Sequence, residues 1–187
     1  MSTAVVTGAA SGIGRALAVR LAAKGYRVHL ADVVATEELA TELGGVPHRV
    51  DVTRPDDMAA LADAARDACL VCLNAGVLGR TMGAPWEADA TEWERVLRIN
   101  LMGVVNGLRV FVPRLVDAGE PVQILITASL AGLVTFPGGW SVCRLQARRG
   151  RGGRTGGPGA DGHGGHGHPA LPGPGPYRNV GGRRGRG

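Results

Sequence analysis

The sequence predicts an α/β protein built on a doubly wound parallel sheet, and three observations carry that prediction. A short apolar run, Ala4-Val5-Val6, breaks into a glycine-rich turn, Thr7-Gly8-Ala9-Ala10-Ser11-Gly12-Ile13-Gly14, and a helical pattern follows at once. Strand-like and helix-like segments then alternate as far as about residue 127. Residues 69–73 are apolar at every position, as expected of a strand buried on both faces of a parallel sheet.

Each element has its own justification. After the glycine turn, Ile13, Leu17 and Leu21 share one helical face, and Gly25 is placed as the C-terminal stop. Residues 26–31 read as a second strand ending at Asp32. Strand, glycine turn, helix, strand and acid form the first unit of a dinucleotide-binding fold. The glycines let backbone approach a pyrophosphate, and the helix start supplies free N–H groups and the positive end of a dipole. Asp32 follows the turn at close to the expected spacing of about 20 residues, placed to accept hydrogen bonds from ribose hydroxyls. Thr36-Glu37-Glu38 opens a short helix, and His48-Arg49-Val50 leads into Asp51-Val52-Thr53. Thr53 is positioned to cap a helix over residues 55–66. Thr91-Glu92-Trp93-Glu94 has the form of a capping box opening a long helix to about residue 118, which Gly119 ends. Residues 122–127 supply a fifth strand.

Composition divides the chain in two. Its 187 residues suit one domain, and 44% are hydrophobic. Residues 1–143 hold 12 Lys and Arg against 15 Asp and Glu, whereas residues 144–187 hold nine Arg against the single Asp161. Sixteen of the 31 glycines lie from Gly150 onward. The expected organisation is therefore a domain over residues 1–142 and a low-complexity, disordered Gly/Arg/Pro tail over residues 143–187. No apolar run approaches the roughly 18 residues of a membrane span, and no secretory signal is visible. Three cysteines do not make a disulfide scaffold, so the expected compartment is the cytoplasm.

At this point residues 3 to about 141 resemble the short-chain dehydrogenases/reductases. The resemblance rests on Thr7-Gly8-x3-Gly12-Ile13-Gly14, Asp51-Val52, Leu73-Asn74-Ala75-Gly76, Ile99-Asn100 and Ser129-Leu130-Ala131-Gly132. The family usually has Asn at the position of Leu73. The resemblance implies a Rossmann-like sheet ordered 3-2-1-4-5, with two further strands in the full family fold. It implies that Gly8, Gly12 and Gly14 line the pyrophosphate turn and that Ser11 and Ile13 offer backbone N–H groups. Asp32 would hold the adenosine ribose, which in this family goes with NAD rather than NADP, because a 2′-phosphate would be repelled. Asp51 and Val52 would contact adenine, and Asn74, Ala75 and Gly76 would flank the cofactor. Ser129 would hydrogen-bond the oxygen of an alcohol or carbonyl substrate, and Asn100 would hold a water in a proton relay. The family is homo-oligomeric, its dimer face including the long helix from Glu92.

The same resemblance exposes a gap. The family moves its proton with a tyrosine at a fixed spacing after the serine and a lysine one helical turn further on. Here those positions hold Val142 and Gln146, neither of which can act as acid or base. A shift of one base in the reading frame recovers the pair. Val142 as GTA, followed by the T of the next codon, yields a tyrosine codon. Gln146 followed by the G of Ala147 yields Lys or Arg. Shifted glycine codons also account for a Gly-rich tail. The expectation is thus a frameshifted, C-terminally truncated member of the family. Its helical stripe of Leu97, Leu101, Val105 and Leu108 would lack a cover, making the chain marginal and aggregation-prone.

Other readings weigh less. Arg151-Gly152-Gly153-Arg154 and Arg183-Arg184-Gly185-Arg186 resemble RNA-binding RGG segments, but Tyr177 is the tail's one aromatic for stacking. His163, His166 and His168 are surrounded by glycine, so ordering them around a metal carries a large entropy cost. Cys69 and Cys72 have the spacing of a CxxC site, yet residues three apart on a strand point to opposite faces. Trp86, Trp93 and Trp140 are expected to pack or to line a substrate pocket. Three functions follow in order: a nicotinamide-dependent oxidoreductase, a catalytically inactive nucleotide-binding remnant, and an RNA-binding protein.

Overall fold

In the computed structural model, residues 2–80, 85–118 and 123–129 are described. The elements are β1 (Thr3–Thr7), α1 (Gly12–Ala22), β2 (Arg27–Asp32), α2 (Glu37–Leu43), β3 (Val46–Arg49), α3 (Pro55–Ala64) and β4 (Ala68–Leu73). A single 3-10 turn (Pro85–Glu87) precedes α4 (Ala90–Leu97), a π-helical segment (Arg98–Met102), α5 (Gly103–Ala118) and β5 (Gln123–Ile126). The strands form one parallel sheet in the order β3-β2-β1-β4-β5, the order expected.

β1 lies at the centre, and all five of its residues are buried. Its side chains alternate between two cores, as the two-residue period of a strand requires. Ala4 and Val6 join Val28, Leu30 and Cys72 under α1 and α2, through Ala18, Leu21 and Leu39. Val5 joins Ala31, Val71 and Leu73 under α3 and α5, through Met58, Leu61, Phe111 and Leu115. Each large apolar side chain buried this way stabilises the fold by about 1.5–3 kcal/mol. At the lower end of the sheet the pairing of β1 with β4 slips between Thr3↔Ala68 and Ala4↔Leu70, so Cys69 is an extra residue in the ladder.

Four local expectations are corrected. Ile13 is 63% exposed rather than on the packed face; α1 buries Gly14, Ala18 and Leu21, a face turned about 100° from Ile13. Arg54, not Thr53, is the N-cap residue of α3 and makes no side-chain cap; Asp51 Oδ1 accepts from the Thr53 N–H instead. Asp89, not Thr91, caps α4, accepting the Glu92 N–H at 2.7 Å. The long helix is also not continuous, since the π segment interrupts it before α5.

The stretch Ala90–Asp117 is long and apolar enough to cross a membrane by length and composition alone, with a window of mean hydropathy 1.3, although Arg98, Arg109 and Arg114 interrupt it and no continuous apolar run of that length exists there. Within it Phe111 and Leu115 are buried against the sheet, and Asn106 donates to the Val52 carbonyl. Of the stripe expected to lie bare, Leu108 packs on the core while Leu101 is 54% exposed. Val142, Gln146, Trp140 and the tail lie outside the described residues.

Candidate dinucleotide site at the strand ends

The parallel strands all present their C-terminal ends to one edge of the sheet. From β1 the chain moves outward to β2 and β3, then returns across to β4. That reversal opens a crevice between the ends of β1 and β4, the place where doubly wound sheets bind ligands.

The glycine turn forms one wall. Gly8 (φ +70°) and Gly12 (φ +52°) adopt left-handed backbone that disfavours other residues. A Cβ on Gly8 would come within 2.9 Å of the Ala75 Cα, and one on Gly14 within 1.9 Å of the Gly8 carbonyl oxygen. These two glycines let β1, α1 and the end of β4 pack together. Gly12 differs, because nothing lies within 4 Å of its would-be Cβ. Its open space faces the start of α1, where Ser11 makes no side-chain cap. The N–H groups of the first turn therefore remain available to an anion.

Asp32 lies beside this turn. Its Oδ2 accepts the Ala10 N–H at 2.9 Å and its Oδ1 the Val34 N–H at 3.1 Å, while Gly8 and Ala9 donate to the Ala31 carbonyl. The carboxylate is thus fixed in place with lone pairs left over, the requirement for accepting from a diol.

The opposite wall is tied to β1 by Thr7. Its Oγ1 accepts the N–H of Asn74 at 2.9 Å and of Ala75 at 3.1 Å, and the Asn74 amide donates back to the Thr7 carbonyl. Thr127, just past β5, donates to Asn74 Oδ1 at 2.9 Å. Three adjacent strand ends are joined through one asparagine. Thr7 and Thr127 were not among the expected site residues, although Thr7 opens the very motif that pointed there.

Asn100 lies in the π segment and grips the backbone of Val77 with both ends of its amide, Oδ1 accepting at 2.8 Å and Nδ2 donating at 2.9 Å. Gly76 lies beside it, and a Cβ there would meet Asn100 Oδ1 at 3.4 Å, an ordinary contact. Further along the same loop, Glu92 is 4% exposed and accepts from the Arg80 N–H and guanidinium and from Arg95. Arg95 also donates to the Leu78 carbonyl. The Arg95 and Arg80 donors hold the Glu92 carboxyl down at about 2. The loop leaving β4 is therefore clamped at Val77, Leu78 and Arg80.

The structure brings Gly8, Ser11, Gly12, Ile13, Gly14, Asp32, Asn74, Ala75, Gly76 and Asn100 to this one edge. Asp51 and Val52 follow β3, where Val52 is buried against Gly103. Ser129 is exposed, three residues beyond β5.

Fold and crevice together define a doubly wound α/β domain with the architecture of a nucleotide-binding protein. Residues 2–141 match the family model of the short chain dehydrogenases, and the chain belongs to that family. It is 44% identical over 149 residues to 1-deoxy-11-beta-hydroxypentalenate dehydrogenase of Streptomyces avermitilis, covering 73% of this chain and 55% of that protein. It is 36% identical over 159 residues to an uncharacterised NAD-dependent oxidoreductase of Mycobacterium tuberculosis, covering 72% and 57%. A short-chain dehydrogenase/reductase from Burkholderia phymatum, solved in complex with NAD, superposes with a TM-score of 0.66 at 38% identity, covering 74% of this chain and 52% of that one. The chain spans about half the length of the curated relatives it matches.

Proposed function

We propose that the crevice binds NAD and that the chain carries the cofactor-binding part of an oxidoreductase acting on an alcohol or carbonyl compound. The observation that carries this reading is the Asp32 carboxylate, held by the Ala10 and Val34 N–H groups beside the uncapped start of α1 and the open face of Gly12. A pyrophosphate would lie on the N–H groups around Ser11, Gly12 and Ile13, and Asp32 would take the adenosine ribose. A carboxylate at that point favours a free 2′-hydroxyl over a 2′-phosphate, hence NAD over NADP. Asp51 and Val52 would border the adenine, and Asn74, Ala75 and Gly76 the nicotinamide half.

The bound nicotinamide supplies hydride transfer. What falls to the protein is the substrate oxygen and its proton. Ser129 would hydrogen-bond that oxygen. Asn100, whose amide is fixed on the Val77 backbone, would hold a water in the proton relay.

A second reading is favoured by Val142 and Gln146, which leave the proton-transfer pair absent from the sequence. In that case the chain is a nucleotide-binding remnant. Titration with NADH, followed by turnover on a panel of secondary alcohols and ketones, tests both. Binding with turnover supports the oxidoreductase, and binding without turnover supports the remnant. No binding overturns both. Sequencing the coding DNA across codons 136–146 tests the frameshift directly.

A further inference from the structure

A shallow groove runs between the start of α1 and α2, bordered by Ala10, Arg15, Thr36, Glu38, Leu39 and Glu42. It adjoins Asp32, because Ala10 in its wall is the residue whose N–H bonds the Asp32 carboxylate. If Asp32 takes the adenosine ribose, as proposed above, the groove lies next to the ribose 2′ position. Arg15 is the one cation among the described residues that border it, facing two carboxylates, Glu38 and Glu42. Arg15 is not free within the groove, since its Nη2 is paired with Glu42 Oε2 at 3.4 Å.

We propose that Glu42 is a cofactor-specificity residue, which holds Arg15 against α2 and so withholds it from a 2′-phosphate in the groove. Asp32 excludes the phosphate by direct repulsion at the ribose. Glu42 excludes it a second time by occupying the cation that would otherwise compensate the charge. Both members of the pair are more than half exposed, at 51% and 59% of the side chain. A pair so exposed is weak and exchangeable, so its influence should appear as a ratio between two cofactors rather than as loss of fold.

The test is made on the full chain with NADH and NADPH as probes, followed by cofactor fluorescence. In an Asp32→Ala background, adding Glu42→Gln should strengthen NADPH binding about fivefold while leaving NADH unchanged. Adding Arg15→Ala should abolish that gain, and raising the salt should shrink it. A Glu42→Gln variant that strengthens both cofactors alike, or neither, overturns the inference, as does a gain that survives loss of Arg15. The single Glu42→Gln variant, read by the same NADPH-to-NADH ratio, keeps the test decisive should the Asp32 variants fail to fold. If the unmodified chain binds no NADH, the function proposed above falls and this inference with it. If NADH binds and the ratio does not move, the inference alone falls.

Discussion

Replacing Gly14 by alanine should damage both the fold and the proposed cofactor site. The new Cβ would stand 1.9 Å from the Gly8 carbonyl oxygen and 2.7 Å from Asn74 Nδ2. Ordinary contact begins near 3.4 Å, so the first turn of α1 would have to retreat from β1 by most of that difference. The nearest obstacle is a backbone carbonyl, which cannot swing aside as the end of a flexible side chain would. Overpacking of this kind costs about 1–3 kcal/mol, and displacement of Asn74 strains its bonds to Thr7 as well, so about 3 kcal/mol is expected. Urea unfolding followed by circular dichroism measures this as a lower midpoint at unchanged slope. NADH affinity should fall at least about tenfold, because such a retreat moves the N–H groups that would hold the pyrophosphate. Gly12→Ala is the control. It meets nothing within 4 Å and pays only for left-handed backbone, about 1 kcal/mol. A Gly14→Ala protein that unfolds at the unmodified midpoint, or no earlier than Gly12→Ala, would refute the reasoning.

Three further predictions rest on single contacts. His29 and His48 stack with Nδ1 and Nε2 2.8 Å apart, and burial, with the His48 and Arg27 charges against the pull of Asp67, holds His29 below its usual 6.5; burial does the same to His48. The unfolded chain therefore binds more protons, so stability should decline as pH falls below about 6.5, and His48→Gln should flatten that slope in thermal melts taken from pH 8 to 5. Glu92, with its folded value at about 2 against an ordinary 4.5, contributes stability above pH 4.5 that is lost as pH falls towards 2. Glu92→Gln should remove that acid-range component, and an unchanged acid unfolding curve would refute the role given to its arginines. Thr7→Val strips the acceptor from the Asn74 and Ala75 N–H groups and should cost about 2 kcal/mol in urea unfolding; a cost near zero would show that the strand ends are not joined there.

The sheet was legible because its signals are local and repeated. Every strand was bounded by a glycine, an acid or a cap, and the central run at residues 69–73 excluded a solvent-facing assignment. The glycine turn was legible for a different reason: left-handed backbone at Gly8 and Gly12 and close packing at Gly14 together demand three glycines at that spacing. Helix ends were harder. Asp89 and Thr91 are both competent N-caps, and Asp89-x-x-Glu92 satisfies the same pattern as the box read two residues later, so local chemistry alone could not choose. The π segment was invisible, because its residues Arg98–Met102 have no compositional mark, and the bond from Asn100 to the loop at Val77 spans 23 residues. Ile13 was misplaced because the face it shares with Leu17 and Leu21 meets the sheet only at one edge; Gly14, Ala18 and Leu21 make the buried face, and two of those are too small to mark it. The clamp of Glu92 on Arg80 and of Arg95 on Leu78 belongs to tertiary structure entirely.

The slip at Cys69 has a mechanical consequence for the edge that carries the site. β1 and β4 are pinned to each other at both extremities: at the bottom Thr3 donates to Asp67 at 2.6 Å, and at the top Thr7 receives Asn74. Between those pins the two strands run different numbers of residues, and the slip takes up the difference. It works as a length adjuster in a doubly fastened ladder. Deleting Cys69 would set Ala68 and Leu70 directly in line opposite Thr3 and Ala4, so both fastenings would stay in phase and the ladder would lose only its irregularity. The extra residue therefore adds local bend and right-handed twist at the far end of β4, while the pins at Asp67 and Asn74 hold the strand's length against β1.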